Sequence, residues 1–267
     1  MYKILDAHCH IYPDKIAIKA SEATGNFYDI EMNLDGKVST LLAEGEKAGI
    51  SHFLIQSVAT TPKQVSSINR FIAESVLKSN GKMTGFGTMH PESEDPERDI
   101  SELMELGLCG VKLHPDIQGF KIDDFRMLKI YELCEKNKLP VLMHCGDKRY
   151  DNSNPNRIVP IMEIYTDLIM IGAHFGGYSV WEEAVNKLAK YRNFYVDTSS
   201  TLFEISPSVA REFIDAYGID KVMFGTDYPM WNPKEEVERF MKIELSEEER
   251  QKILYDNAAK LLGICEK

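Results

Sequence analysis

Residues able to hold a metal ion mark this chain more clearly than any other feature. His8 and His10 stand two apart in the segment D-A-H-C-H. On a β-strand such residues point to the same side, so both imidazoles can address one point. Three further groups follow short apolar runs: His144 in V-L-M-H-C-G-D, His174 in I-G-A-H-F-G-G and Asp227 in F-G-T-D-Y-P. Two nitrogens from one strand, a third nitrogen and a carboxylate suit a divalent metal with an open coordination position. Imidazole and carboxylate donors leave zinc, manganese and iron open. A bound divalent cation lowers the pKa of its water to about 7. A histidine titrating near neutrality can then move the proton.

For these groups to meet, several strand ends must gather at one rim. Apolar runs at residues 3–7, 53–56, 83–88, 110–113, 140–143, 168–173, 194–197 and 222–224 read as strands. They are continuous rather than alternating, as in a parallel sheet buried on both faces. Between them the helical pattern recurs at 36–48, 62–79, 96–106, 123–137, 156–166, 179–190, 207–216 and 233–241. Pro62, Pro96, Pro207 and Pro233 stand near helix starts, and Gly49, Gly107 and Gly218 where helices stop. Eight strand–helix units in 267 residues average about 33 residues each, the size of one unit of a TIM barrel. The chain therefore reads as one α/β domain over residues 1–267, a (β/α)8 TIM barrel with a C-terminal helical tail from about Ser246. An open doubly wound sheet is the rival, but D-A-H-C-H stands where its glycine-rich fingerprint would be.

In such a barrel the active site lies at the C-terminal ends of the strands. Six of the seven histidines fall there: His8, His10, His90, His114, His144 and His174. His52 opens the second strand, on the opposite face. Strands one and eight are neighbours in a closed barrel, so Asp227 can reach the point addressed by His8 and His10.

Composition narrows the partners. Acidic residues outnumber basic ones 42 to 31, a formal net charge of −11, which argues against nucleic acid as a partner. No run approaches the roughly 20 apolar residues needed to cross a bilayer, and M-Y-K-I-L-D-A-H lacks the apolar region of a signal peptide. Five cysteines, Cys9, Cys109, Cys134, Cys145 and Cys265, form no C-x-x-C pair, consistent with a reduced, cytoplasmic protein. The expected partner is a small molecule, with neither nucleic acid nor membrane; a homodimer is left open.

D-A-H-C-H, G-V-K-L-H-P, V-L-M-H-C-G-D, I-G-A-H-F-G-G, F-G-T-D-Y-P and the terminal D-N-A-A-K-L-L-G together resemble the amidohydrolase-related (amidohydrolase 2) group of TIM-barrel metal enzymes. The likeness runs from the first strand to the tail. It implies His8, His10, His144 and Asp227 as ligands of one divalent metal, usually zinc. It also implies His174 as the group that positions or deprotonates the metal-bound water, with Asp227 acting beside it. The group contains hydrolases, lactonases and non-oxidative decarboxylases. Hydrolysis of an amide, ester or lactone of a small organic substrate is the leading expectation, and decarboxylation of an aromatic or enoic acid the alternative. In two-metal relatives a lysine on strand four is carbamylated and bridges both ions. Lys112 is followed by Leu113 and His114, as in the one-metal group, so it reads as a substrate-anchoring or buried structural lysine. TatD-type nucleases also begin with H-x-H but commonly carry a glutamate where Lys112 stands.

Second-tier candidates lie in the rim segments. His90 and His114, each before a proline, can touch substrate or only shape their loops. Arg149 in G-D-K-R-Y-D-N-S-N-P can clamp a carboxylate bidentately. Trp231 can line an apolar wall or pack on the next helix. The connection 11–35 offers Tyr12, Phe27 and Tyr28 as a cover. Asp6 shares parity with His8 and His10 and is expected to orient a ligand, whereas Cys9 points away beneath the helices. Glu235, Glu236 and Glu238 read as solvated surface.

Overall fold

The computed structural model describes residues 2–264; Cys265 lies outside the described residues. Nine strand segments follow one another: β1 (Leu5–His10), β2 (His52–Gln56), β3 (Met83–Gly85), β4 (Gly87–Thr88), β5 (Val111–Leu113), β6 (Val141–Met143), β7 (Met170–Gly172), β8 (Phe194–Asp197) and β9 (Val222–Met223). All pairings are parallel, in the order β1-β2-β3 and then β4 through β9. The third expected strand is thus split at Phe86, whose N–H still bonds the Ile55 carbonyl at 3.0 Å. Three backbone bonds join the segment that follows β9 to β1: Ala7 N to Phe224 O at 2.8 Å, Asp227 N to His8 O at 2.9 Å and His10 N to Tyr228 O at 2.7 Å. These are the contacts of the expected (β/α)8 TIM barrel.

The helices are α1 (Ala17–Tyr28), α2 (Val38–Ala48), α3 (Val65–Lys78), α4 (Pro96–Glu105), α5 (Pro115–Gln118), α6 (Phe125–Lys136), α7 (Ile158–Ile164), α8 (Trp181–Leu188), α9 (Pro207–Tyr217), α10 (Pro233–Phe240), α11 (Glu247–Gln251) and α12 (Asn257–Leu261). Pro96, Pro207 and Pro233 each occupy the first helical turn, where the missing N–H has no intrahelical partner to lose. Ser246 and Glu249 form the capping box that opens the tail. Among the described residues no helix is long and apolar enough to cross a membrane.

Two apolar layers hold the barrel. Phe53, Ile55, Val111, Leu113, Val141, Met143 and Val196 pack outward against the helices. Leu5, Leu54, Phe86, Leu142, Ile171 and Met223 fill the interior, with Ala258 and Ala259 of the tail packed against them. Strand one runs further than its apolar pattern: it ends at His10 rather than Ala7, because pairing with β2 continues after the sequence turns polar. It also carries an irregularity. Asp6 pairs with Phe53 and Cys9 with Ile55, so one extra residue lies between them. The shared parity of Asp6 with His8 is broken there.

The connection 11–35 carries α1 over twelve of its residues. One further expectation is corrected. Glu236 is not solvated: it is 0% exposed beneath α10.

Candidate active site

The H-x-H pair sits at the end of β1. The Nε2 atoms of His8 and His10 lie 3.1 Å apart, and Asp227 Oδ1 is 3.4 Å from the first and 3.5 Å from the second. Asp227 has φ of 61°, a conformation uncommon for residues other than glycine, and the turn aims its carboxylate back over β1. The hydrogen-bond partners fix the ring chemistry. His8 Nδ1 donates to Asp197 Oδ2 at 2.8 Å, which leaves the Nε2 lone pair facing His10 and Asp227. Donors on a tetrahedral ion at 2.0–2.1 Å are separated by roughly 3.3 Å, so these three atoms have the spacing of three ligands around one divalent ion. Two imidazole nitrogens and a carboxylate oxygen are also the chemistry such an ion takes.

His174, likewise at positive φ (61°), places its Nδ1 3.0 Å from the Ser199 carbonyl. A carbonyl only accepts, so Nδ1 carries the proton and Nε2 accepts from His144 Nδ1 at 3.0 Å. The remaining nitrogen of His144, Nε2, therefore keeps a lone pair. It faces Tyr28 Oη at 3.4 Å and Asp116 Oδ2 at 3.7 Å. The structure thus brings His8, His10 and Asp227 to one point and sets His144 beside them with His114 and Asp116, a second convergent group. His114 stacks on His144 with centroids 3.9 Å apart. Its Nδ1 accepts the Ile117 N–H, and its Nε2 meets Tyr28 Oη at 2.6 Å.

Burial governs the protonation of the cluster. It holds His10 and His144 well below the usual imidazole range, helped by Lys112 beside the first and His114 beside the second, and lowers His174 to about 4. Burial also acts to raise Asp227, but His8, His174 and His10 more than reverse it, leaving the carboxyl well below its ordinary value. Lys112, fully buried on β5, has Nζ 3.2 Å from His8 Nε2. Desolvation brings it down to about 8, against Asp227 and Asp197, which hold it up.

These groups close one end of a cavity of about 540 Å³, lined there by His10, Lys112, His114, Asp116, His144, His174 and Asp227. Tyr12, Phe27 and Tyr28 line it as well. Other sequence candidates stand elsewhere. Arg149 is held by Asp147 through Nε at 3.0 Å and Nη2 at 2.7 Å, and its Nη1 donates to the Phe27 carbonyl at 2.9 Å. Trp231 stacks on Phe203 with centroids 4.4 Å apart and donates to Ser200 Oγ at 2.8 Å. Ser200 in turn donates to Asp227 Oδ2 at 2.5 Å, so Trp231 reaches the site through that hydroxyl. His90 accepts the Glu92 N–H in its own loop. Asp6 bonds Thr226 rather than an imidazole, receiving its N–H at 2.9 Å and its hydroxyl at 2.5 Å.

Asp197 stands in none of the histidine-bearing motifs, yet it orients His8. A signal was present: it is the last residue of a strand whose Phe194 and Val196 belong to the outer layer, so alternation turns Asp197 inward.

Comparison with known proteins agrees with this architecture. The model of a family described as amidohydrolase matches residues 5–264. The 2-amino-3-carboxymuconate-6-semialdehyde decarboxylase of Dictyostelium discoideum is 23% identical, over 74% of this chain and 66% of its own. The gamma-resorcylate decarboxylase of Polaromonas is 24% identical, over 79% of this chain and 80% of its own. Among solved structures, a dihydroxybenzoic acid decarboxylase from Polaromonas with bound manganese and the inhibitor 2-nitroresorcinol superposes with a TM-score of 0.77. It is 18% identical and the match covers 100% of this chain and 98% of that one. Relatives that are decarboxylases overturn the sequence expectation that put hydrolysis first.

Proposed function

This chain belongs to the amidohydrolase family, and on that premise we propose that it catalyses the metal-dependent, non-oxidative decarboxylation of a small aromatic carboxylic acid. The observation that carries the reading is the polarity of the cavity: the donor cluster and Lys112 gather at one end, and apolar side chains wall much of the rest. A carboxylate drawn into such a site leaves bulk water, which favours the uncharged product, carbon dioxide, over the charged reactant. The names of both curated relatives support the same chemistry.

His8, His10 and Asp227 are the residues that would hold the ion, with His144 Nε2 as the further imidazole donor. When bound, a divalent ion supplies positive charge that fastens an anionic substrate and draws electron density from it. Lys112 offers a charged donor to the substrate's carboxylate, since its ammonium persists at neutral pH. Asp197 keeps His8 in the tautomer that exposes Nε2. His174 does the same for His144, its neutral Nε2 accepting the His144 Nδ1–H, and that nitrogen would take up a solvent proton and pass it on. In the reaction the ring carbon bearing the carboxylate gains a proton. Its bond to the carboxyl carbon then breaks, the bonding pair returns to the ring, and carbon dioxide leaves.

The test is to supply metal-loaded protein with hydroxybenzoates, an enoic acid, a lactone and an amide, measuring carbon dioxide and each product. One carbon dioxide released per phenol formed is expected. Turnover of the lactone or amide with none from any acid would overturn the reading.

A further inference from the structure

The cavity has a second, apolar lobe that the chemistry above does not use. Ile16, Ala20, Ala23 and Phe27 recur at intervals of four, three and four residues, which places them on one stripe of α1 and its N-cap. All four line the cavity. The opposite stripe of the helix, Ala17, Ser21 and Gly25, is buried against the protein. Across the cavity, Ile68 and Phe71 of α3 supply a facing apolar wall. Two alanines in the α1 stripe leave room that larger residues would fill. Ile16 remains 51% exposed, so the stripe is open at that end, while Tyr150 stacks on Phe27 at the other.

The charge pattern limits what can enter. Among the described residues lining the cavity, Lys112 is the one lysine or arginine, and it stands at the metal end. The guanidinium of Arg149 is already paired with Asp147. A substituent carrying a second carboxylate would find no cation in the lobe. A cavity of about 540 Å³ is in the range that encloses drug-sized ligands rather than a single ring.

We propose that the stripe Ile16, Ala20, Ala23 and Phe27, facing Ile68 and Phe71, is a subsite for an uncharged hydrocarbon substituent on the substrate. The acid it selects carries one carboxylate, seated at the Lys112 end, and an alkyl arm lying between α1 and α3. The assignment rests on the aromatic-acid reading and deepens it.

Calorimetric titration of metal-loaded protein with resorcinol and its 5-methyl, 5-propyl and 5-pentyl derivatives tests the subsite without requiring turnover. Affinity is expected to rise about fourfold per methylene, the equivalent of about 0.8 kcal/mol for each CH2 buried. Ala23→Glu, which sets a charge in the stripe, is expected to flatten that dependence. The corresponding 4-alkyl-2,6-dihydroxybenzoates, followed by carbon dioxide release, report on the reaction separately. Chain-length dependence without carbon dioxide would leave the subsite and sink the decarboxylase. Carbon dioxide from 2,6-dihydroxybenzoate with a flat or falling alkyl series would do the reverse. Absence of binding by every member, or an unaltered slope in Ala23→Glu, would also overturn the subsite; the wild-type series decides alone should that variant not fold.

Discussion

His8 Nδ1 donates to Asp197 Oδ2 across 2.8 Å, and both side chains are fully buried. Because a carboxylate only accepts, this bond fixes which nitrogen of His8 carries the proton and turns the other toward His10 and Asp227. The second oxygen of the same carboxylate receives the backbone N–H groups of His174 at 3.1 Å and Ser199 at 3.0 Å. One carboxylate at the end of β8 therefore sets the tautomer of His8, a proposed metal donor, and ties down the turn that presents His174.

Replacing Asp197 with Asn should keep the size of the side chain while removing the charge that favours the His8 tautomer. Partners that orient a ligating histidine are typically worth about ten- to a hundredfold in metal affinity. Chelator competition on Asp197→Asn is expected to show a loss in that range. Unchanged affinity would mean that His8 does not depend on Asp197.

Gly225 lies directly beneath the same pair. A Cβ built there meets His8 Cβ at 2.9 Å, Ser199 Cβ at 3.3 Å and Asp197 Cβ at 3.5 Å. Gly225→Ala must push on His8 and crowds Ser199, while Asp197 stays at ordinary contact distance; overpacking of this kind costs about 1–3 kcal/mol. Urea denaturation should show that loss together with weaker metal retention, because the displaced His8 belongs to the proposed donor set.

The two roles assigned at the rim separate by mutation. Asp227→Ala removes a donor and should empty the site, as measured by metal analysis after dialysis. His174→Asn should retain metal but lose most turnover, since the imidazole behind His144 is proposed to relay a proton rather than hold the ion. Full activity in His174→Asn would contradict its assignment.

Much of this was legible in the sequence. Apolar runs and helix starts gave eight strand–helix units, and strand-end placement singled out His8, His10, His144, His174 and Asp227, all of which stand at the rim. Alternation failed where the backbone departs from it: the extra residue between Asp6 and Cys9 removes Asp6 from the histidines, and Thr226 takes its carboxylate. Loop residues carry no period, so no spacing told that Arg149 would be occupied by Asp147 or that Trp231 would stack on Phe203. The apolar residues of α1 are divided between a buried stripe and one facing the cavity, which blurs the amphipathic pattern and hides the helix in the sequence. The ranking of reactions was not legible, because both chemistries use the same donors.

Arg149 supports α1 from outside the cavity. Besides its bond to the Phe27 carbonyl, its guanidinium lies 5.4 Å from the ring centroids of both Phe27 and Tyr28. Arg149→Ala should loosen the end of this helix, seen as faster amide exchange in residues 17–28. Because α1 forms a cavity wall, KM should rise more than kcat falls. Equal losses in both kcat and kcat/KM would instead place Arg149 in the chemical step.

Glu236 should make stability depend on pH in the direction opposite to that of most carboxylates. It is wholly buried on α10, and one of its oxygens has no hydrogen-bond partner. Burial raises its pKa from 4.5 to about 7, although Arg239 beside it acts in the other direction. Below pH 4.5 the group is protonated in both the folded and the unfolded chain and contributes no difference. Between that value and about 7 the unfolded chain loses its proton first, so it binds fewer protons and stability falls as pH rises. A shift of this size corresponds to roughly 3 kcal/mol. Glu236→Gln keeps an acceptor for Arg239 but cannot ionise. Urea unfolding at pH 5 and pH 8 should show the wild type losing up to about that amount relative to the variant. Parallel pH profiles for the two proteins would show that Arg239 keeps Glu236 charged throughout, and that the buried pair is an ordinary ion pair.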